Sequence, residues 1–191
     1  MLTTEALQVC LEVAAVLDGL DVPYLVGGSL ASSFHGFPRA TNDADLVADL
    51  RDKHVAPFVA ALAGRYYVDE ERVRHAVGRR SSFNVIQLAT MFKVDVFVLG
   101  DEPQDREEMA RRTRIELPDG GGELEVASAE DTILQKLHWY RLGRGVSDRQ
   151  WQDVLAVLRV QAGRLDRSYL LRGAEALGVS DLLEQAASEA G

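Results

Sequence analysis

"YLVGGSLASSFHGFPRATNDADLVADL", residues Tyr24 to Leu50, begins as an apolar strand, stops at two glycines and a serine, and then sets two aspartates in a second apolar run. Side chains of a strand alternate between its faces. Asp43 and Asp45 therefore point the same way, a few ångströms apart, and Leu46 points to the covered side. Two like charges so close repel, and one takes up a proton unless a cation lies between them. Hard divalent ions such as Mg²⁺ favour carboxylate oxygens. Upstream, Gly27 and Gly28 permit close approach of the backbone to a ligand. A helix starting at Ser29 offers free N–H groups and a positive dipole end to an anion. No Gly-Lys-Ser/Thr follows, so this is not a Walker loop, and it is not a Rossmann fingerprint.

A third acid lies downstream. In "FKVDVFVLG" (92–100), Val94, Val96 and Val98 face one way, while Lys93, Asp95, Phe97 and Leu99 face the other. An unpaired carboxylate buried in such a strand costs on the order of several kcal/mol. Asp95 therefore needs a partner, either an ion pair with Lys93 or an arginine, or a metal. If its strand lies beside that of Asp43, three carboxylates converge as in a two-metal site for phosphoryl or nucleotidyl transfer.

Outward from these runs, the pattern predicts a mixed unit up to about residue 127. "MLTTEALQVCLEVAAVLDGL" (1–20) reads as a helix with Leu7, Leu11, Ala14 and Leu17 on one face. "SLASSFHG" (29–36) reads as one or two helical turns closed by Gly36, and "FPRATN" (37–42) as a loop. "KHVAPFVAALAG" (53–64) reads as a helix, with Pro57 tolerated only in its first turn. A short strand near "RYYVD", a helix "EERVRHAVG" (70–78), strands over 81–90 and 92–100 and a helix "REEMARRTR" (106–114) follow. "RIELPDGGGELEVAS" (114–128) has the form of a hairpin turning at Pro-Asp-Gly-Gly-Gly. From Ser128 the chain is helical. Ser128 and Asp131 form a variant capping box before Ile133, Leu134, Leu137, Trp139 and Tyr140. Ser147 caps a helix with Trp151, Leu155 and Leu158 on one stripe, and two short helices end the chain. The expected fold class is α+β: a mixed β-sheet flanked by helices over 1–127, with a C-terminal helical region, 128–191, packed on it, since roughly 64 residues alone bury too little core.

The chain has 191 residues, 47% hydrophobic and 27% charged, with net charge −9. That charge argues against nucleic-acid binding over the whole surface. Arg79-Arg80, Arg111-Arg112-Arg114 and Arg141-Arg144 read as solvated faces. No run approaches the roughly 18 apolar residues of a membrane span, and the N-terminus lacks the marks of a signal peptide. The single cysteine, Cys10, excludes an internal disulfide and fits a reducing cytoplasm as the expected location. On a helix it reads as a small buried hydrophobe.

Gly-Gly-Ser, a gap of 13 residues (30–42), then Asp-x-Asp among apolar residues, with a third acid on a later strand, resembles the signature of the polymerase-β-like nucleotidyltransferases. Within them, "HGFPRATNDADL" and "FNVIQLATMFKVDVF" resemble the bacterial AbiEii-type nucleotidyltransferases, many of them toxins of toxin–antitoxin pairs. The likeness covers Tyr24 to Leu99 and runs on more loosely through "AEDTILQKLHWYR" and "SDRQWQDVL". It implies an Mg²⁺- or Mn²⁺-dependent transfer of an NMP from an NTP to a hydroxyl of an RNA 3′ end, a protein or a small molecule. A cognate antitoxin is an implied partner, and a membrane is not. It also implies roles: Asp43, Asp45 and Asp95 as metal ligands and catalytic acids, Gly27, Gly28 and Ser29 at the phosphates, and Arg39 and Thr41 in contact with phosphate or ordering the loop. Lys136 is either a triphosphate contact or a solvated helix lysine. Asp148 or Asp153 matches a late acidic motif, and each reads equally as a helix cap or a surface residue. His35 reads as structural. The alternative class is a nucleotide-binding or partner-binding module of the same fold that does not catalyse.

Overall fold

The computed structural model describes residues 4–117 and 121–191, which form two compact units. One comprises the described residues up to Gly27 together with Ala40–Ala127; the other comprises Gly28–Arg39 and Ser128–Gly191.

The first unit is built on a mixed seven-stranded sheet. The strands are β1 (Tyr24–Val26), β2 (Asp43–Ala48), β3 (Tyr66–Tyr67), β4 (Ser82–Gln87), β5 (Lys93–Val98), β6 (Thr113–Glu116) and β7 (Glu123–Val126), in the order β3-β4-β5-β2-β1-β7-β6. β2 runs parallel to β5 and antiparallel to β1, and β4 runs antiparallel to β5. The expected alternation holds along both central strands. Ala44, Leu46 and Ala48 of β2 and Val94, Val96 and Val98 of β5 are buried, while the residues between them are half-buried. α1 (Thr4–Gly19) packs against β2 and β7 and against α3 (Asp52–Leu62), while α4 (Glu70–Arg79) packs on α3 and β4. The unit also holds α5 (Pro103–Arg111).

Several local expectations are corrected. Of the stripe expected on α1, Ala14 and Leu17 are buried but Leu7 and Leu11 end half-buried, and Ala6, Val9, Cys10 and Val13 complete the buried face, because both spacings fit a helix. Pro57 lies in the second turn of α3, not the first. Its ring is on the exposed side, opposite Val55, Phe58 and Leu62, where the orphaned carbonyl meets water. α4 runs through Gly78 and ends at Arg80, in the left-handed region. β6 and β7 form the expected hairpin; the Pro118–Gly120 part of its turn lies outside the described residues.

The second unit packs α2 (Gly28–His35), α6 (Ala129–Leu142), α7 (Asp148–Val160), α8 (Arg167–Ala176) and α9 (Ser180–Ala190). Ile133, Leu134, Leu137, Trp151, Val154, Leu155 and Val157 dominate its core. Trp139 is half-exposed and leaves the expected apolar face. Ser128 and Ser147 cap α6 and α7 by accepting from the backbone N–H of Asp131 and Gln150. α2 contacts α6 and α7, and Gly36 permits the approach: a Cβ there would lie 3.0 Å from Val157 N and 3.1 Å from Ala156 C.

The arginine clusters are largely tied up in ion pairs: Arg80 with Asp101, Arg114 with Glu123 and Glu125, and Arg141 with Asp181. No described helix is long and apolar enough to cross a membrane.

Candidate functional site

In the sheet unit the carboxylates share one face by register. Asp45 lies directly opposite Asp95, and Asp43 opposite Lys93. Asp43 is held by Thr41, whose Oγ1 donates to Asp43 Oδ1 at 2.9 Å. The turn after β1 is pinned to the same strand, with Gly27 N–H donating to Asp45 O at 2.8 Å. A Cβ at Gly27 would meet nothing within 4 Å, so there is open space beside this backbone.

Asp95 is engaged at both oxygens. Lys93 Nζ is 2.6 Å from Oδ2, and Asn84 Nδ2 donates to Oδ1. The hydrogen bond to Asp95 raises the Lys93 ammonium's pKa; burial opposes this, and the charges of Asp95, Asp43 and Asp45 add to the rise. Of the two partners expected for Asp95, a cation or a metal, the side chains supply the first. Asn84 was not singled out in the sequence, although an amide in the run "SFNVIQ" on the strand beside an acid is the signal that marks it. Asn84 also lines a cleft of about 610 Å³, with Asp69, Arg72 and His75 of the α4 region on its other wall.

Among the described residues, no three carboxylate, imidazole or thiol groups are gathered closely enough to hold a metal ion as they stand. The donor chemistry of Asp43 and Asp45, two carboxylates at i and i+2 on a half-buried face, fits one hard divalent cation. The third carboxylate is committed to Lys93 and Asn84.

In the helical unit, Gly28 opens α2 with φ +56, a conformation that favours glycine. Ser29 follows. Arg39 Nη2 donates to Ser29 Oγ at 2.7 Å, and the same guanidinium grips Asp153 through Nε and Nη2, each at 2.8 Å. Lys136 Nζ reaches Asp153 Oδ2 at 2.7 Å. Lys136 is 5% exposed and Asp153 6%, so Lys136 is not a solvated helix lysine, and Asp153 is not a surface residue. Burial disfavours the charged form of Asp153, but hydrogen bonds from Arg39 and Lys136 outweigh it and hold the carboxyl below its usual range. One carboxylate thus organises two cations, and one of them, Arg39, also reaches the Ser29 hydroxyl. Asp148, by contrast, is exposed in the first turn of α7. The His35 carbonyl accepts from Gln161 Nε2 at 2.8 Å.

A mixed seven-stranded sheet flanked by helices, with a C-terminal helical region, is the nucleotidyltransferase fold. An antigenic nucleotidyltransferase-like protein from Paracoccidioides brasiliensis shares it at 17% identity and a TM-score of 0.58, over 98% of this chain and 94% of that one. ANT(2″)-Ia in complex with adenylyl-2″-tobramycin matches at 15% identity and a TM-score of 0.57, over 92% and 98%. The lincosamide antibiotic adenylyltransferase LnuA, lincomycin-bound, matches at 12% identity and a TM-score of 0.55, over 83% and 98%. No protein-family model and no curated protein sequence matches the chain.

Proposed function

We propose that this chain is a metal-dependent nucleotidyltransferase that moves an NMP from an NTP to a hydroxyl acceptor. The observation that carries this reading is the register placing Asp45 opposite Asp95, two residues along the strand from Asp43. The acceptor oxygen attacks the α-phosphorus in line, a new O–P bond forms, the bond to the bridging oxygen breaks, and pyrophosphate leaves. Asp43 and Asp45 are the residues that would hold a divalent cation, which neutralises charge on the phosphates when bound. Asp95 accepts the proton of the attacking hydroxyl, and Asn84 fixes its carboxylate. Thr41 orients Asp43. The motif likeness gives Gly27, Gly28 and Ser29 the role of donors to the phosphates, and Arg39 and Lys136, both bound to Asp153 within the helical unit, the role of phosphate contacts.

Two fold relatives are a lincosamide antibiotic adenylyltransferase and a protein seen in complex with adenylyl-2″-tobramycin. A small hydroxyl-bearing molecule is therefore the first acceptor to test, ahead of an RNA 3′ end or a protein hydroxyl. The test incubates the purified chain with each α-labelled NTP, Mg²⁺ or Mn²⁺, and panels of amino sugars, lincosamides, total RNA and protein extract. Label transfer with pyrophosphate release is expected, reduced at least about 100-fold in Asp45→Asn. Equal transfer by Asp43→Ala and Asp45→Ala would sink the mechanism.

The narrower reading, an AbiEii-type toxin with a cognate antitoxin, rests on the motif likeness of "HGFPRATNDADL" and "FNVIQLATMFKVDVF". Growth arrest on expression, relieved by a small regulator encoded next to it, is the outcome that reading requires. A second reading, a binding module without turnover, is favoured by the commitment of both Asp95 oxygens to Lys93 and Asn84. It predicts cation-dependent NTP binding with no transfer to any acceptor.

A further inference from the structure

Lys93 stands where the proposed chemistry calls for positive charge. It shares a sheet face with all three acids, since it lies opposite Asp43 while Asp95, two residues on, lies opposite Asp45. Its ammonium is 2.6 Å from Asp95 Oδ2, and Asn84 holds the other oxygen. In two-metal transferases the cations lie roughly 3.5–4 Å apart and share carboxylates. An ammonium bound to one of those carboxylates occupies a ligand oxygen and repels a second divalent ion from the same face. Lys93 is half-exposed and Asp95 only 18% exposed, so water screens the pair incompletely.

We propose that Lys93 is a built-in replacement for the second divalent cation, so that the chain loads one divalent ion tightly, at Asp43 and Asp45, and a second only weakly. This rests on the proposed nucleotidyl transfer. The ammonium neutralises Asp95 in the resting protein and leaves a single high-affinity cation site on the face. Lys93 is then a determinant of how many ions the protein binds and at what concentration it becomes active.

The experiment counts bound Mn²⁺ by the EPR signal of the free ion, on the full chain, with Mn²⁺ alone and with a non-hydrolysable NTP analogue. The wild type is expected to take up one Mn²⁺ per chain, with any second at least about tenfold weaker, the scale set by one unit charge a few ångströms away. Lys93→Met is expected to tighten the second site by at least about tenfold. Lys93→Arg, which keeps the charge, is expected to titrate like the wild type. Lys93→Gln serves if the methionine variant loses its native circular dichroism. Two equivalent ions in the wild type overturn the Lys93 proposal and leave nucleotidyl transfer standing, as does a second site unchanged in both neutral variants. No bound ion in any protein, even with the nucleotide analogue, removes nucleotidyl transfer as well.

Discussion

Asp153 shows how much one side chain organises. It is nearly fully buried and accepts from both Arg39 and Lys136. Asp153→Ala leaves two buried or half-buried cations without their carboxylate, so it is expected to cost about 3–5 kcal/mol in urea unfolding. The pH dependence follows from its depressed pKa. A carboxyl whose native pKa lies below the unfolded value of about 3.9 contributes fully above that value and loses its contribution as pH falls through the native pKa. The stability gap between wild type and Asp153→Asn is therefore expected to stay flat from about pH 5 to 8 and to narrow below about pH 4. A gap that widens in acid would contradict the assignment. The contrast with Asp43, Asp45 and Asp95 explains what the sequence made legible. Asp43 and Asp45 keep to the period-2 alternation of one strand, so their common face follows from spacing, while Asp95 joins it only through the pairing of β2 with β5. Asp153 and Lys136 stand 17 residues apart on different helices, with Arg39 more than a hundred residues from Asp153. No local period marks such a network, and Lys136 read equally well as solvated.

At the scale of elements, β2, β5 and the starts of α6 and α7 were readable because each carries a local rule, whereas the helix expected over 106–114 is α5, Pro103–Arg111, and Thr113 and Arg114 already belong to β6. Alternation marks β2 and β5, and Ser128, Ser147 and Asp69 accept from backbone N–H groups at the caps. The packing of α2 on α6 and α7 carries none, since its partners lie about a hundred residues downstream. Gly36 is the trace it leaves. Gly36→Ala puts a Cβ against the backbone of Ala156 and Val157, which cannot rotate away as a side chain does. A loss of about 1–3 kcal/mol is expected by urea unfolding. α3 makes the opposite case. Pro57 withholds an N–H from the helix ladder at an exposed position, and no close packing requires its ring. Pro57→Ala restores that donor; with the proline's effect on the unfolded chain set against it, the net gain is expected to be about 1–2 kcal/mol. A loss of stability would mean that Pro57 has a role beyond α3.

Over the whole molecule, Cys10 is a built-in reporter of folding, because it is the only cysteine in the sequence. It is fully buried on α1, and burial first, then the charge of Asp45, push its thiol up to about 12. Thiolate is the reactive form, so at pH 8 iodoacetamide is expected to modify the folded chain at least about a thousandfold more slowly than the urea-unfolded chain. The same shift has a thermodynamic consequence whose sign is fixed. The unfolded thiol ionises near 8.5 and the folded thiol near 12. As pH rises between those values, ionisation stabilises the unfolded chain and not the folded one. At pH 9.5 the wild type is therefore expected to have lost about 1.4 kcal/mol relative to its stability at pH 7, beyond any loss shared with Cys10→Ala. Tyrosines and lysines also titrate in this range, but they are common to both proteins and cancel in the comparison. Parallel stability curves for wild type and Cys10→Ala from pH 7 to 9.5 would show that the thiol ionises as easily in the folded core as in the open chain and would overturn the raised pKa.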